Sequence, residues 1–253
     1  IALLCDFDVD GISSGAVLYT AFVDYFNCDP LLIKPVISNR MKAGYGFSED
    51  VLRRISEMNP IPTLIITADQ GSKDNDRVKK YNELMASKNI KGADVIITDH
   101  HHLEGKGPED AFAVVNPQRE DCEFEDKTIC GCTVALFTMV EVREQLIKRG
   151  VLEQNSKKLT DLLTFSTAAT IADCVSMASP LNRAIVNLGL KDMNNGTRAP
   201  WRSMRKIFSD DTETLRTDSI GFGLAPRINA CSRTGGDGLV ALKFYLADSE
   251  VEA

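Results

Sequence analysis

Histidine is scarce in this chain: three residues among 253, and all three stand side by side. No run of about eighteen uncharged apolar residues occurs, which excludes a membrane-spanning helix. The seven cysteines are odd in number and scattered, so they do not form the evenly paired framework of a small secreted domain; reduced thiols in a cytoplasm are expected. Cys122, Cys130 and Cys132 lie closest together but have no fourth ligand nearby, and they read as small buried side chains rather than a zinc knuckle. There is no internal repeat, low-complexity linker or visible signal peptide. Basic charge is also short, with 29 lysines and arginines against 36 aspartates and glutamates for a net charge of −7. Taken alone, that balance argues against a polyanionic partner.

What is present is a composition, 43% apolar and 26% charged, able to bury a sizeable core. The histidines fall in Thr98-Asp99-His100-His101-His102, directly after the apolar run Ala93-Asp94-Val95-Ile96-Ile97. This puts an imidazole cluster at the end of a buried strand, whereas a purification tag would lie at a terminus. Imidazole supplies neutral nitrogen ligands for metals and a proton donor near neutral pH.

Three other segments read as strand ends that carry carboxylates, each closing an apolar, small or β-branched stretch in aspartate. They are Ile1 through Gly11 with Asp6, Asp8 and Asp10, the stretch 63–71 with Asp69, and the stretch 168–175 with Asp173. Asp6, Asp8 and Asp10 would share one face if the first strand continued through them. Like charges converging in a crevice need a cation to neutralise them. Carboxylate oxygens with one or two imidazoles suit Mn²⁺ or Mg²⁺, and also Fe²⁺ or Co²⁺, better than a thiolate-rich zinc site. Five or six such ligands exceed one tetrahedral ion and predict two ions, bridged by one carboxylate at roughly 3.5 to 4 Å.

Strand patterns near 1–7, 31–37, 63–69, 93–98 and 112–115 alternate with helical patterns near 12–26, 48–58 and 73–88. This rhythm predicts an α/β fold with a parallel sheet of about five strands, whose ligands gather at the strands' carboxyl ends. Beyond Asn116-Pro117 the pattern turns helical, near 131–148, 156–170 and 182–193, and is expected to pack on the same core. One domain over 1–253 follows, with 1–117 its sheet part and 118–253 its mainly helical part.

Asp6-Phe7-Asp8-Val9-Asp10-Gly11, Asp69-Gln70-Gly71, Asp99-His100-His101 and Ala172-Asp173 resemble, in this order, four motifs of the DHH phosphoesterase superfamily. The segment 223–236, containing Pro226-Arg227-Ile228-Asn229-Ala230, looks like the Pro-Arg-hydrophobic-Asn-Ala segment of RecJ-like single-strand-specific exonucleases, and Asn39 to Gly46 also fits. Cys231-Ser232 departs from the small Ala-Gly pair common there, which bears on the local loop geometry.

The resemblance spans nearly the whole chain and implies a site residue by residue. Asp8 and Asp69 would bind one divalent ion, and Asp10, Asp69, His100 and Asp173 the other, with Asp69 bridging. Asp6 would be a further ligand or a partner of one, and Asp99 would orient its neighbours rather than coordinate. His101 would face the substrate phosphate, stabilising the transition state or donating a proton; His102 reads as a surface loop residue.

The implied cofactors are two divalent ions, Mn²⁺ ahead of Mg²⁺. The implied reaction is two-metal hydrolysis releasing 5′-mononucleotides from the 5′ end of single-stranded DNA, in DNA repair or recombination. Polarity and the preference for DNA come from the resemblance alone. Single-strand-binding protein or other repair factors are the implied partners, with a cytoplasmic location and no membrane association. Residues 191–233 are locally basic, eight basic against five acidic side chains. Arg40, Arg227, Asn229 and Arg233 are candidate phosphodiester contacts, with Tyr45 or Trp201 available to stack on a base. The ordinary alternatives are a core position for Trp201 and a solvated helix face for Arg202, Arg205 and Lys206.

The family's further DHH-associated domain would follow a connecting helix starting near 246–253, and Ile1 lies inside the first strand pattern, so the chain reads as a fragment. Two rivals remain. A small-substrate relative, acting on nano-oligonucleotides, cyclic dinucleotides or pyrophosphate, would share the acids but generally lack the 226–233 type of segment. A non-catalytic nucleic-acid-binding module would have lost metal ligands that are all present here.

Overall fold

A computed structural model describes residues 1–38, 46–196, 198–208, 214–233 and 238–253. Arg40 and Tyr45, and the side chain of Arg233, lie outside the described residues. Short aliphatic runs form five strands: β1 Ala2–Cys5, β2 Lys34–Ile37, β3 Leu64–Ala68, β4 Asp94–Thr98 and β5 Ala113–Val115. All neighbours pair in parallel in the order β2-β1-β3-β4-β5. The connections therefore leave in opposite directions between β1 and β3, the switch point at which open α/β sheets form a crevice.

Strand alternation divides the interior into two cores. Leu3, Cys5, Ile66 and Ala68 face one cluster, while Ala2, Leu4, Ile65, Val95 and Ile97 face the other. Helices α2 Glu49–Ser56 and α3 Asn75–Ser87 cover the second face with Val51, Leu52, Ile55, Val78, Tyr81 and Met85. Helix α1 Val9–Thr20 covers the first, continued by a π-helical turn over Ala21–Tyr25.

Around α1 pack α4 Gly131–Lys148, α5 Leu163–Ala172 and α9 Leu239–Leu246. Outside these lie α6 Pro180–Asn194, α7 Ala199–Phe208 and α8 Ala225–Arg233. Ser48 and Ser179 cap α2 and α6 by accepting from Val51 N and Asn182 N, and Pro180 opens α6 where no amide hydrogen is needed.

Several expectations are corrected. The first strand stops at Cys5, so Asp6, Asp8 and Asp10 are not gathered by strand alternation; a strand-to-helix turn brings them together. The stretch ending in Asp173 is helix α5, preceded by a 3-10 turn over Leu159–Leu162. Small residues let α5 press against α1 and α6 so closely that a Cβ on Gly189 would fall on Thr167 Oγ1. Residues 225–233 are helix α8 rather than a loop, and residues 247–253 are bends and turns rather than the start of a helix.

Trp201 is fully buried, with Phe165 and Tyr245 at ring distances of 5.9 and 5.7 Å, so it is a core residue and not a base-stacking platform. Arg202 and Lys206 pair with Glu250. All seven cysteines are free, with Cys130 and Cys132 buried. Among the described residues no helix is long and apolar enough to cross a membrane.

Candidate metal centre

The acids sit one step past the strands because the backbone ladder runs on into them. Asp6 N donates to Ala68 O at 3.1 Å, Asp69 N to Thr98 O at 3.0 Å and Asp99 N to Val115 O at 3.1 Å. Three carboxylates thus line up along the carboxyl edge of β1, β3 and β4. Asp69 has a left-handed backbone, φ 61°, a conformation aspartate tolerates better than most residues but one that still stores strain at a functional turn.

Asp8 is the N-cap of α1 and accepts from Gly11 N at 3.0 Å, and Asp10 lies in the helix's first turn. Gly11 permits this tight turn, since a Cβ there would come within 2.5 Å of Asp6 Cβ.

Asp10 is held by a second helix. Gly131 N donates to its Oδ2 and Cys132 N to its Oδ1, both at 2.7 Å, so the amides at the start of α4 embrace the carboxylate. Gly131 also runs against Asp69: a Cβ there would lie 2.5 Å from Asp69 Oδ1. Asp173 arrives from elsewhere, as the C-cap of α5.

His100 stands at the meeting point. Its Nε2 is 3.2 Å from Asp69 Oδ1, 3.5 Å from Asp10 Oδ2 and 3.7 Å from Asp173 Oδ2. Its Nδ1 faces Ile129 O at 3.0 Å, which assigns the proton to Nδ1 and leaves the Nε2 lone pair directed into the carboxylates. Burial, then the neighbouring His101, lowers the His100 pKa and keeps it the neutral base a metal requires.

Ligand atoms gather within 4.8 Å in three overlapping groups: Asp10 with His100 and Asp173, Asp6 with Asp8 and Asp69, and Asp69 with His100 and His101. Asp69 and His100 each belong to two of these groups.

Burial dominates the carboxylate electrostatics. It pushes Asp6 up to about 7, with Asp8 adding to the effect, and Asp173 up to about 6, again with help from Asp8. Asp10 and Asp69 are raised for the same reason and by their acidic neighbours, chiefly Asp173 for Asp10 and Asp10 for Asp69.

Buried Asp6 Oδ1 and His100 Nε2 have no hydrogen-bond partner among the described residues. Orphaned lone pairs, crowded carboxylates and a neutral imidazole are the donor set of a divalent cation, and these residues fit one.

Asp99 behaves differently. Burial pushes it up, but hydrogen bonds from the His101 ring, the His101 amide and Ser72 N outweigh that and hold it below the usual range. Its Oδ1 accepts from His101 Nδ1 and from His100 N, both at 2.8 Å. That bond raises the His101 pKa, and the His101 side chain is 45% exposed, at the open side of the cluster. His102 is exposed.

Of the remaining candidates, Arg227 is exposed, its guanidinium stacked 4.7 Å over the Phe208 ring and donating to Gly223 O. Asn229 is half-buried, with a buried Oδ1 that has no partner among the described residues. Both ride on α8, which packs against α1.

Four groups around the site escaped the sequence reading. They are the Gly131 and Cys132 amides, Gln70, Ser72 and Asn116. Gln70 is fully buried and ties three segments together: its Oε1 accepts from Ser38 Oγ and Gly46 N, and its Nε2 donates to Leu4 O, all at 3.0 Å. A glycine opening a helical pattern at Gly131 was the one readable signal.

Residues 1–170, which hold the parallel sheet and the acids and histidine at its switch point other than Asp173, match the N-terminal domain of the DHH family. The chain belongs to the DHH family. It is similar along its whole length to the single-stranded-DNA-specific exonuclease RecJ of Salmonella typhimurium, 32% identical over 257 aligned positions that cover all of this chain and 42% of the relative. The RecJ of Bacillus subtilis is 32% identical over 241 positions, 92% of this chain and 26% of its own length. The chain thus spans less than half of these relatives.

Among solved structures, exonuclease RecJ bound to manganese superposes with a TM-score of 0.79 at 26% identity, covering 100% of this chain and 57% of that one. RecJ of Thermus thermophilus in complex with Mn²⁺ gives 0.72 at 25% identity, covering 99% and 32%.

Proposed function

We propose that this chain is the catalytic core of a metal-dependent, single-stranded-DNA-specific exonuclease that releases 5′-mononucleotides in the 5′ to 3′ direction, in cytoplasmic DNA repair or recombination. The observation that carries the reading is His100 Nε2, deprotonated and aimed into Asp10, Asp69 and Asp173 within 3.7 Å. Similarity to RecJ over the whole chain supports the choice of substrate.

Asp10, His100, Asp173 and Asp69 would hold one divalent ion, and Asp8 and Asp69, with Asp6 beside them, a second. Mn²⁺ is favoured and Mg²⁺ the alternative, as both occur in the RecJ structures. Two such ions, when bound, acidify water and neutralise charge on a phosphodiester.

The chain's own groups do the rest. The α4 amides fix Asp10, and Asp99 holds the His101 ring with its Nδ1 proton engaged. His101 at the open side steadies charge on the phosphoryl oxygens or passes a proton to the leaving oxygen. Arg227 and Asn229 on α8, with Arg40, Tyr45 and Arg233, are the proposed strand contacts.

The test is single-stranded DNA labelled at either end, incubated with the protein and Mn²⁺. Mononucleotide released from the 5′ end, and abolished by Asp69→Ala, is expected. Hydrolysis of dinucleotides or pyrophosphate with no cleavage of DNA would transfer the chain to the small-substrate members of the family.

A further inference from the structure

His101 is not held by Asp99 alone. Asn116, 2% exposed just beyond β5, donates from Nδ2 to the His101 carbonyl at 2.9 Å and to Ser72 Oγ at 2.8 Å. Its Oδ1 is occupied by Gln118 N at 2.7 Å, which fixes which end of the amide is which. Ser72 in turn donates its amide to Asp99 Oδ2 at 3.0 Å, while Asp99 Oδ1 receives the His101 ring at 2.8 Å.

The side chain of Asn116 therefore grips His101 twice. It acts directly on the backbone carbonyl, and through Ser72 on the carboxylate that orients the ring. The three segments it joins follow three different strands, β3, β4 and β5, so its bonds add side-chain ties to a backbone ladder that already aligns their ends.

We infer that Asn116 is a positioning residue for His101, clasping the ends of β3, β4 and β5 so that the His101 ring is held on Asp99 and presented to substrate. The inference rests on the proposed phosphodiesterase reading. None of the proposed cation ligands touches Asn116 among the contacts described, so removing its amide disturbs His101 and its Asp99 partner while sparing the ligand carboxylates. A buried group that orients a reacting side chain through hydrogen bonds is worth about tenfold to a hundredfold in activity.

The experiment compares wild type, Asn116→Ala and Asn116→Asp, each alone and combined with His101→Asn. Asn116→Asp keeps the acceptor for Gln118 N and the volume but loses both donated bonds. The readouts are the ¹H–¹⁵N NMR signal of the His101 Nδ1 proton, Mn²⁺ affinity by calorimetry, and kcat and KM on single-stranded DNA.

Both single variants should broaden or lose the Nδ1 proton signal and lower kcat about tenfold to a hundredfold, with KM and Mn²⁺ affinity within about twofold of wild type. In the His101→Asn background they should cost nothing more. A sharp, unshifted Nδ1 signal, an additive loss in that background, or a parallel collapse of Mn²⁺ affinity would overturn the inference. A wild type that cleaves no nucleic acid would count against the exonuclease reading, while the NMR signal still decides the clasp.

Discussion

Removing Asp6's charge should flatten the pH dependence of the metal-free protein's stability. Asp6 is 3% exposed, and its carboxyl is raised to about 7 by burial and by Asp8. In the unfolded chain it titrates near 3.8. Between those values the folded state holds the proton more tightly, so stability falls as pH rises. The contribution is fully present below pH 4 and gone above pH 7.

A shift of about three units is worth about 4 kcal/mol, of which about 3 kcal/mol falls between pH 5 and 8. For a domain of this size that is about 5 to 10 °C in Tm. Thermal unfolding followed by circular dichroism, in chelator, should show wild type losing that much more than Asp6→Asn over the same range. Mn²⁺ at a hundred times its Kd should restore about 2.7 kcal/mol per site at pH 8 and much less at pH 5, where the ligands are protonated. Equal pH slopes for wild type and Asp6→Asn, or equal stabilisation by Mn²⁺ at both pH values, would refute the assignment of Asp6 to a crowded, cation-seeking cluster.

Gly131→Ala adds a methyl 2.5 Å from Asp69 Oδ1; it should leave helicity intact yet weaken Mn²⁺ binding about tenfold to a hundredfold by calorimetry. Gln70→Ala removes the buried bonds to Ser38 Oγ, Gly46 N and Leu4 O, and should cost about 3 kcal/mol in urea unfolding. Trp201→Ala should cost about 3 to 5 kcal/mol, while Trp201→Phe should leave affinity for single-stranded DNA unchanged, as expected of a core residue.

The strands were legible because short aliphatic runs with acids at their ends have few alternatives, and Asp69 and His100 were legible with them. The two α/β faces also follow from alternation in Ala2-Leu3-Leu4-Cys5. Asp173 does lie beside His100, but at the end of a helix where the pattern reads as a strand end. Ala168 to Ile171 has the β-branched and small residues of a strand, and only packing against α1 and α6 makes those small residues a reason for a helix.

Asp8 and Asp10 were likewise grouped by a strand period, where capping of α1 is the cause. The amides of Gly131 and Cys132 were invisible for a simpler reason. Every residue other than proline has an amide hydrogen, and only the tertiary approach of α4 decides that these two meet Asp10. Asn116 read as a boundary between sheet and helices, since nothing in Asn116-Pro117 announces bonds back to residues 72 and 101.

The central claim is that two divalent ions share Asp69 at the carboxyl edge of the sheet. Crystals soaked in Mn²⁺ and measured at the manganese absorption edge should show two anomalous peaks roughly 3.5 to 4 Å apart, flanking Asp69, one against His100, Asp10 and Asp173 and the other against Asp8. A single peak, two peaks that do not share Asp69, or none at saturating Mn²⁺ would contradict it.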